Sequence, residues 1–79
     1  MNINEAVIKR ILEICELRKM SLCDISLKGG MSPSNIYDLL HNRVKHPKIN
    51  TIQRFCEGAG MTLSEFFAGP LFKDLEPYD

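Results

Sequence analysis

The residues best suited to chemistry in this 79-residue chain lie between positions 28 and 45. Ser34, Tyr37, Asp38 and His41 recur at the spacing i, i+3, i+4 and i+7, which predicts one shared face of a helix. This face carries neither Lys nor Glu, the long charged residues of an ordinarily solvated helix. Its hydroxyl, carboxylate and imidazole groups are suited to hydrogen bonds with the edges of DNA bases or with phosphate oxygens.

The sequence offers little for catalysis or for a metal. No acid pair and no nucleophile beside a base stands out, and His41 and His46 have no Cys or Asp arranged to orient them. The three cysteines, Cys15, Cys23 and Cys56, are an odd number, and no two are two to four residues apart. Neither a disulfide framework nor a zinc site is therefore supported. We expect no enzyme, no metal, no cofactor and three reduced thiols.

The net charge of zero hides an uneven distribution of charge. Residues 41–56 hold four basic side chains and no acidic one, whereas residues 57–79 hold one base and five acids. The basic side chains are Arg43, Lys45, Lys48 and Arg54. Because this basic segment directly follows the polar helix, it could hold a DNA strand beside a groove occupied by that helix.

Strong start and stop signals surround the polar helix, which we predict over residues 32–41. Ser32 is expected to cap it, and Pro33 suits the first helical position because its missing N–H costs nothing there. A shorter helix that opens at Ser21 precedes it and ends at Gly29-Gly30, where glycine permits a left-handed turn. Two such helices form either an αα corner or a DNA-reading helix-turn-helix. The polar face, the N-terminus open to an anion and the basic loop favour the second.

The remaining pattern predicts further helices over about residues 5–18, from 48 or 50 to 59, and after a capping box at Thr62. No segment alternates as a strand does. We therefore predict an all-α domain of five short helices over residues 1–69, with the helix-turn-helix at about 21–41 and an acidic tail over 70–79. Its expected core consists of Ile8, Ile11, Ile25, Ile36, Leu39, Ile52, Phe55 and Phe66.

Residues 11–69 resemble the lambda-repressor/Cro type of helix-turn-helix domain, also called the XRE family. The resemblance rests on the five-helix order, the turn glycine Gly30, the cap Ser32, the buried Ile36 and the proline before the fourth helix, Pro47. The closing sequence "MTLSEFFAG" is similar to the short fifth helix of the family. The resemblance implies a compact, lambda-repressor-like domain of a sequence-specific transcriptional regulator, with repression as the expected sense.

The resemblance also implies that helix 32–41 enters the major groove of double-stranded DNA. The base-contacting positions of the family are matched by Pro33, Ser34 and Asp38, with Asn35 and Tyr37 beside them. The phosphate-contacting positions are matched by His41, Asn42 and Arg43, and we expect Ser32 and Lys45 to join them.

The chain departs from the family at several positions, which leaves an alternative function open. Many members carry Gln where this chain has Leu22, Ala at Ser26 and an apolar residue at Gly29. Leu22 and Leu27 could instead form a partner-binding surface. The alternative is an all-α protein-interaction module or antitoxin-like partner. Binding to DNA with a steep salt dependence would argue against this alternative.

We expect a weak homodimer that DNA binding favours, because one recognition helix reads few base pairs. The expected interface is Phe66, Phe67, Leu71 and Phe72, and the alternative is that these side chains cap the core of one chain. No signal peptide or apolar run of membrane length appears, so we expect a cytoplasmic protein with no membrane partner.

Overall fold

A computed structural model of the chain describes residues 1–41 and 46–77. These residues form five α-helices and one 3-10 helix and contain no strand: α1 (Ile3–Arg18), α2 (Leu22–Lys28), α3 (Pro33–Leu40), α4 (Ile49–Ala59), α5 (Leu63–Phe67) and η1 (Pro70–Phe72). The all-α, five-helix prediction is confirmed. Within this part of the chain no helix is long and apolar enough to cross a bilayer.

Capping boxes begin the first and last α-helices. The Asn2 side chain accepts from the N–H of Glu5 at 2.9 Å, and the Glu5 carboxylate accepts from the N–H of Asn2 at 3.0 Å. Thr62 and Glu65 exchange the same pair of bonds at α5, as the sequence predicts. Hydrogen bonds from Thr62 also hold the pKa of the Glu65 carboxyl below its ordinary value. These reciprocal bonds satisfy N–H groups that a helix start otherwise leaves unpaired.

The core is built from one stripe on each helix, and most of the predicted core is buried. Ile8 is the exception, because it is only half-buried at the edge of the core. Leu12, another apolar residue of α1, is 51% exposed. The buried stripe of α1 follows Val7, Ile11 and Ile14, at i, i+4 and i+7. The other buried members of the core cluster are Ile25, Met31, Ile36, Leu39, Ile52, Phe55, Cys56, Ala59 and Phe66.

Two arginines of α1 bind the ends of later helices. The Arg10 Nε and Nη2 atoms donate to the carbonyl oxygens of Phe66 at 2.7 Å and Glu65 at 2.8 Å. Arg18 Nε donates to the carbonyl oxygen of Ala59 at 2.9 Å. Because the last carbonyls of a helix have no partner within it, these bonds complete α4 and α5 and tie both to α1.

Glycines allow α2 and α4 to cross with their backbones in contact. A Cβ atom added to Gly58 would lie closer than 3.0 Å to the carbonyl oxygen of Ile25 and 2.9 Å from the N atom of Gly29. A Cβ atom on Gly29 would meet the carbonyl oxygen of Arg54, again within 3.0 Å. Gly29 itself has φ −82°, so it is close approach, and not a left-handed conformation, that requires glycine there.

The segment after α5 lies against the rest of the molecule. Helix η1 contacts α1, and the Phe72 ring lies 6.2 Å from that of Phe66 and 5.0 Å from that of Phe67. Further along, the N–H of Glu76 donates to the carbonyl oxygen of Met1 at 3.1 Å. Phe66 is completely buried, so the prediction that it belongs to a dimer interface is wrong for this residue. Its ring is enclosed by other aromatic rings of its own chain.

Ser26 should be a site where alanine stabilises the protein. Its side chain is fully buried in α2, and its hydroxyl has no hydrogen-bond partner among the described residues. Burying an unpaired hydroxyl costs free energy, so Ser26→Ala should raise the free energy of unfolding by about 1 kcal/mol. Urea denaturation would measure it. Ser21→Ala is the control, because it removes the bond from the Asp24 N–H at the start of α2 and should lower stability by about 1 kcal/mol. A loss of stability in Ser26→Ala would contradict the assignment.

Candidate nucleic-acid interface

The turn between α2 and α3 is fixed by backbone bonds and by burial. Gly30 has φ 72°, a left-handed conformation that favours glycine. Its N–H donates to the carbonyl oxygen of Leu27 at 3.1 Å, and the N–H of Met31 donates to that of Ser26 at 3.0 Å. The Met31 side chain is buried in the core. The chain therefore leaves α2 in a defined direction and begins α3 at Pro33.

Ser32 stands at the N-cap position of α3, but the prediction that its side chain caps the helix is wrong. The Ser32 hydroxyl is 2.9 Å from the Ser34 hydroxyl and makes no cap bond. One of the two hydroxyls donates to the other. The first turn of α3 thus has no side-chain cap among the described residues, although the Asn35 N–H donates to the carbonyl oxygen of Ser32 at 3.1 Å. The positive end of the helix dipole favours an anion there.

Ser34, Tyr37 and His41 form an exposed stripe along α3. The rings of Tyr37 and His41 stack with their centroids 6.3 Å apart, and His41 Nδ1 lies 2.8 Å from the carbonyl oxygen of Tyr37. Because a carbonyl oxygen only accepts, Nδ1 carries the proton, and Nε2 is the imidazole atom directed to other partners. Neutral His41 can therefore accept at Nε2, and only protonated His41 can donate there.

Asn35 and Asp38 form a second stripe, which faces the start of α4. They line a cavity of about 250 Å³ whose other walls are Leu39, His46, Pro47, Lys48 and Thr51. Asp38 is half-buried there, whereas the sequence placed it on the same outward face as Ser34, Tyr37 and His41. On this side of α3, residues 46–48 and Thr51 of α4 lie across the cavity from Asp38. The polar face of α3 is therefore divided into an outer stripe and an α4-facing stripe.

The basic residues of segment 41–56 have different surroundings. Asn42, Arg43 and Lys45, which the resemblance assigns to phosphate contacts, lie outside the described residues. Lys48 is exposed at the start of α4. Arg54 instead lies at the turn, where its Nη1 donates to the carbonyl oxygen of Gly30 at 3.2 Å. The sequence carried no signal for this bond, because the two residues are 24 positions apart.

Two of the three thiols, those of Cys15 and Cys56, are unsuited to nucleophilic chemistry. Burial raises the pKa of the Cys56 thiol to about 11, partly offset by the positive charge of Arg10. Burial also raises the pKa of Cys15. Both thiols are protonated at neutral pH, and the thiolate is the nucleophilic form. In residues 1–41 and 46–77, no three His, Cys, Asp or Glu side chains are grouped to hold a metal ion.

Leu22 and Leu27, which support the alternative function as an interaction module, differ in their surroundings. Leu22 is half-buried and packs against the core, whereas Leu27 is 61% exposed. Of the two leucines, only Leu27 presents most of its surface to a partner.

Comparison with known protein families gives a match over most of the chain. The sequence model of the Cro/C1-type HTH DNA-binding domain matches residues 10–68, about three quarters of the chain. The matched segment contains the α2–α3 turn, the exposed stripe of α3 and the crossing of α2 and α4. Comparison with curated proteins finds no match, and comparison with solved structures finds none.

Proposed function

The chain belongs to the Cro/C1-type HTH DNA-binding domain family, and on that premise we propose that it is a sequence-specific transcriptional regulator that places α3 in the major groove. The observation that carries this proposal is the exposed stripe of Ser34, Tyr37 and His41 on a helix whose opposite face, Ile36 and Leu39, is buried. Because this buried face packs against the core, α3 can present its polar groups to base edges without a conformational change. Repression is the simplest sense, because a bound domain of this size excludes other proteins from its site.

We propose that the bases are read from residues 33–38 of α3. Ser34 can donate or accept, and Asn35 can pair with the N6 and N7 atoms of adenine. Asp38 only accepts when ionised, which suits the amino group of cytosine and not a phosphate. The proposed base-contacting residues are Pro33, Ser34, Asn35, Tyr37 and Asp38.

We propose that the phosphates are held at the two ends of α3. At its start, the uncapped first turn and the Ser32 hydroxyl support contact with one strand. At its end, a protonated His41 could donate from Nε2 to a phosphate. Arg43 and Lys45 follow in the sequence, and their positive charges could bind phosphates whether or not His41 is protonated. The proposed phosphate-contacting residues are Ser32, His41, Asn42, Arg43 and Lys45.

We propose that two copies bind together, because the eight residues of α3 span few base pairs. Two-fold pairing would then require half-sites centred about 10 base pairs apart. Since Phe66 is buried, the proposed interface is reduced to the half-buried Phe67, Leu71 and Phe72. A palindromic site with this spacing, selected from a random duplex library, would support the pairing.

The proposal is tested by comparing base-contact and phosphate-contact variants on a selected duplex and on a scrambled one. Ser34→Ala or Asn35→Ala should cost about 1–3 kcal/mol on the selected duplex and little on the scrambled one, with the salt dependence nearly unchanged. Arg43→Ala or Lys45→Ala should weaken binding to both duplexes and lower the slope of log K against log salt by roughly 1. Binding isotherms at several salt concentrations measure both quantities.

Lys73→Ala is the matched control, since it removes a positive charge outside the basic segment and should leave the salt slope unchanged. If all four interface variants lose affinity equally on both duplexes, α3 does not read bases. If the wild-type chain binds no duplex with a steep salt dependence, the interaction module becomes the better description.

A further inference from the structure

Arg54 belongs by sequence to the basic segment, where its charge would suggest a phosphate contact. The structure gives its guanidinium a different partner. Its Nη1 donates at 3.2 Å to the carbonyl oxygen of Gly30, the left-handed residue of the α2–α3 turn. Arginine is suited to such a bond, because its guanidinium offers five N–H donors in a rigid plane and can bind a carbonyl without losing its charge.

The bond acts on a peptide unit inside the turn, the one between Gly30 and Met31, two residues before α3 begins at Pro33. The N–H side of the Gly30–Met31 peptide is held by α2, through the bond from Met31 to the carbonyl oxygen of Ser26. Its C=O side is held by α4, through Arg54. The same peptide is therefore attached to both helices, and its orientation sets the direction in which the chain enters α3.

The backbone of Arg54 adds a second contact to the same turn. Its carbonyl oxygen lies 2.1 Å from the position that a Cβ atom on Gly29 would take, so α4 touches the turn directly at this residue. The side-chain cap that could have fixed the start of α3 is missing, because the Ser32 hydroxyl pairs with Ser34. Arg54 thus supplies this turn with a side-chain hydrogen bond from another helix.

We infer that Arg54 is a positioning residue for DNA recognition: it holds the Gly30–Met31 peptide, and with it the angle of α3, without itself contacting phosphate. The inference rests on the proposed function of α3. A misdirected α3 loses its alignment with base edges, whereas attraction to phosphates is nearly independent of that angle. Removal of the guanidinium should therefore reduce sequence discrimination more than general DNA affinity.

The test compares Arg54→Met, which keeps most of the side chain's length but has neither charge nor donor, with the wild type. Affinity for the selected duplex should fall about 10-fold and affinity for the scrambled duplex less than 2-fold, with the salt slope unchanged. Arg54→Lys, which keeps the charge and a donor, should recover part of the lost discrimination. Arg43→Ala serves as the reference for a lost phosphate contact.

An equal loss on both duplexes with a slope lower by roughly 1 would overturn the inference, because it would show that Arg54 binds phosphate. An Arg54→Met variant indistinguishable from the wild type would overturn it too. Backbone amide shifts of the free protein give a readout that does not depend on DNA. They should change at residues 30–40 and not in α1, so this measurement decides the positioning role even if the wild type binds no duplex. Shifts spread over the whole chain would count against it.

Discussion

Gly58→Ala should lower the free energy of unfolding by about 3 kcal/mol or more, since overpacking against rigid neighbours costs at least the upper end of the usual range. The added Cβ would meet the carbonyl oxygen of Ile25 and the N atom of Gly29, which are backbone atoms of α2 and of its C-cap. Neither can rotate aside as a side chain could, so α2 and α4 must separate. Because small domains are stable by only about 5–15 kcal/mol, this is a large part of the total.

Thermal and urea denaturation would measure the loss, which corresponds to a fall in melting temperature of about 12 °C or more. Gly60→Ala is a matched control two residues away. Gly60 has φ 70° and open space around its Cβ position, so alanine there meets conformational strain alone and should cost about 1–2 kcal/mol. If the two variants are equally stable, the close contact of α2 and α4 is not present in solution.

Ile36→Ala should cost about 2–5 kcal/mol in the free energy of unfolding. Ile36 is 1% exposed in the core, on the inner face of α3, and its truncation leaves a cavity that the surrounding helices only partly fill. DNA binding should weaken as well, because the same side chain holds α3 against the body of the domain. Urea denaturation measures the first effect, and isotherms on the selected duplex measure the second.

Leu40→Ala provides the comparison on the same helix. Leu40 is half-buried at the edge of the core, so a smaller loss is expected from the smaller apolar area removed. An Ile36→Ala variant as stable as the wild type would show that the face of α3 with Ile36 is not the buried one.

The helices and their limits were predictable from the sequence because they depend on local chemistry. Apolar spacing placed α1 and α4, the Thr62 and Glu65 pair placed the start of α5, and Gly29-Gly30 separated α2 from α3. Each signal acts over four residues or fewer, within reach of a single helical turn. The spacing of the polar residues likewise indicated that α3 carries the face of interest.

The tertiary structure decided what those local signals leave open, namely which residues far apart in the sequence contact one another. Asp38 lines a cavity beside the start of α4, and Phe66 packs against the rings of Phe55 and Phe72. Arg54 reaches a carbonyl 24 residues away. Such contacts depend on how helices cross, and the crossing of α2 and α4 is set by two glycines whose need appears only when their backbones touch. Local sequence thus determined the helix that presents polar groups, whereas packing between helices determined its direction, since a residue's neighbours across a crossing leave no periodic trace in the chain.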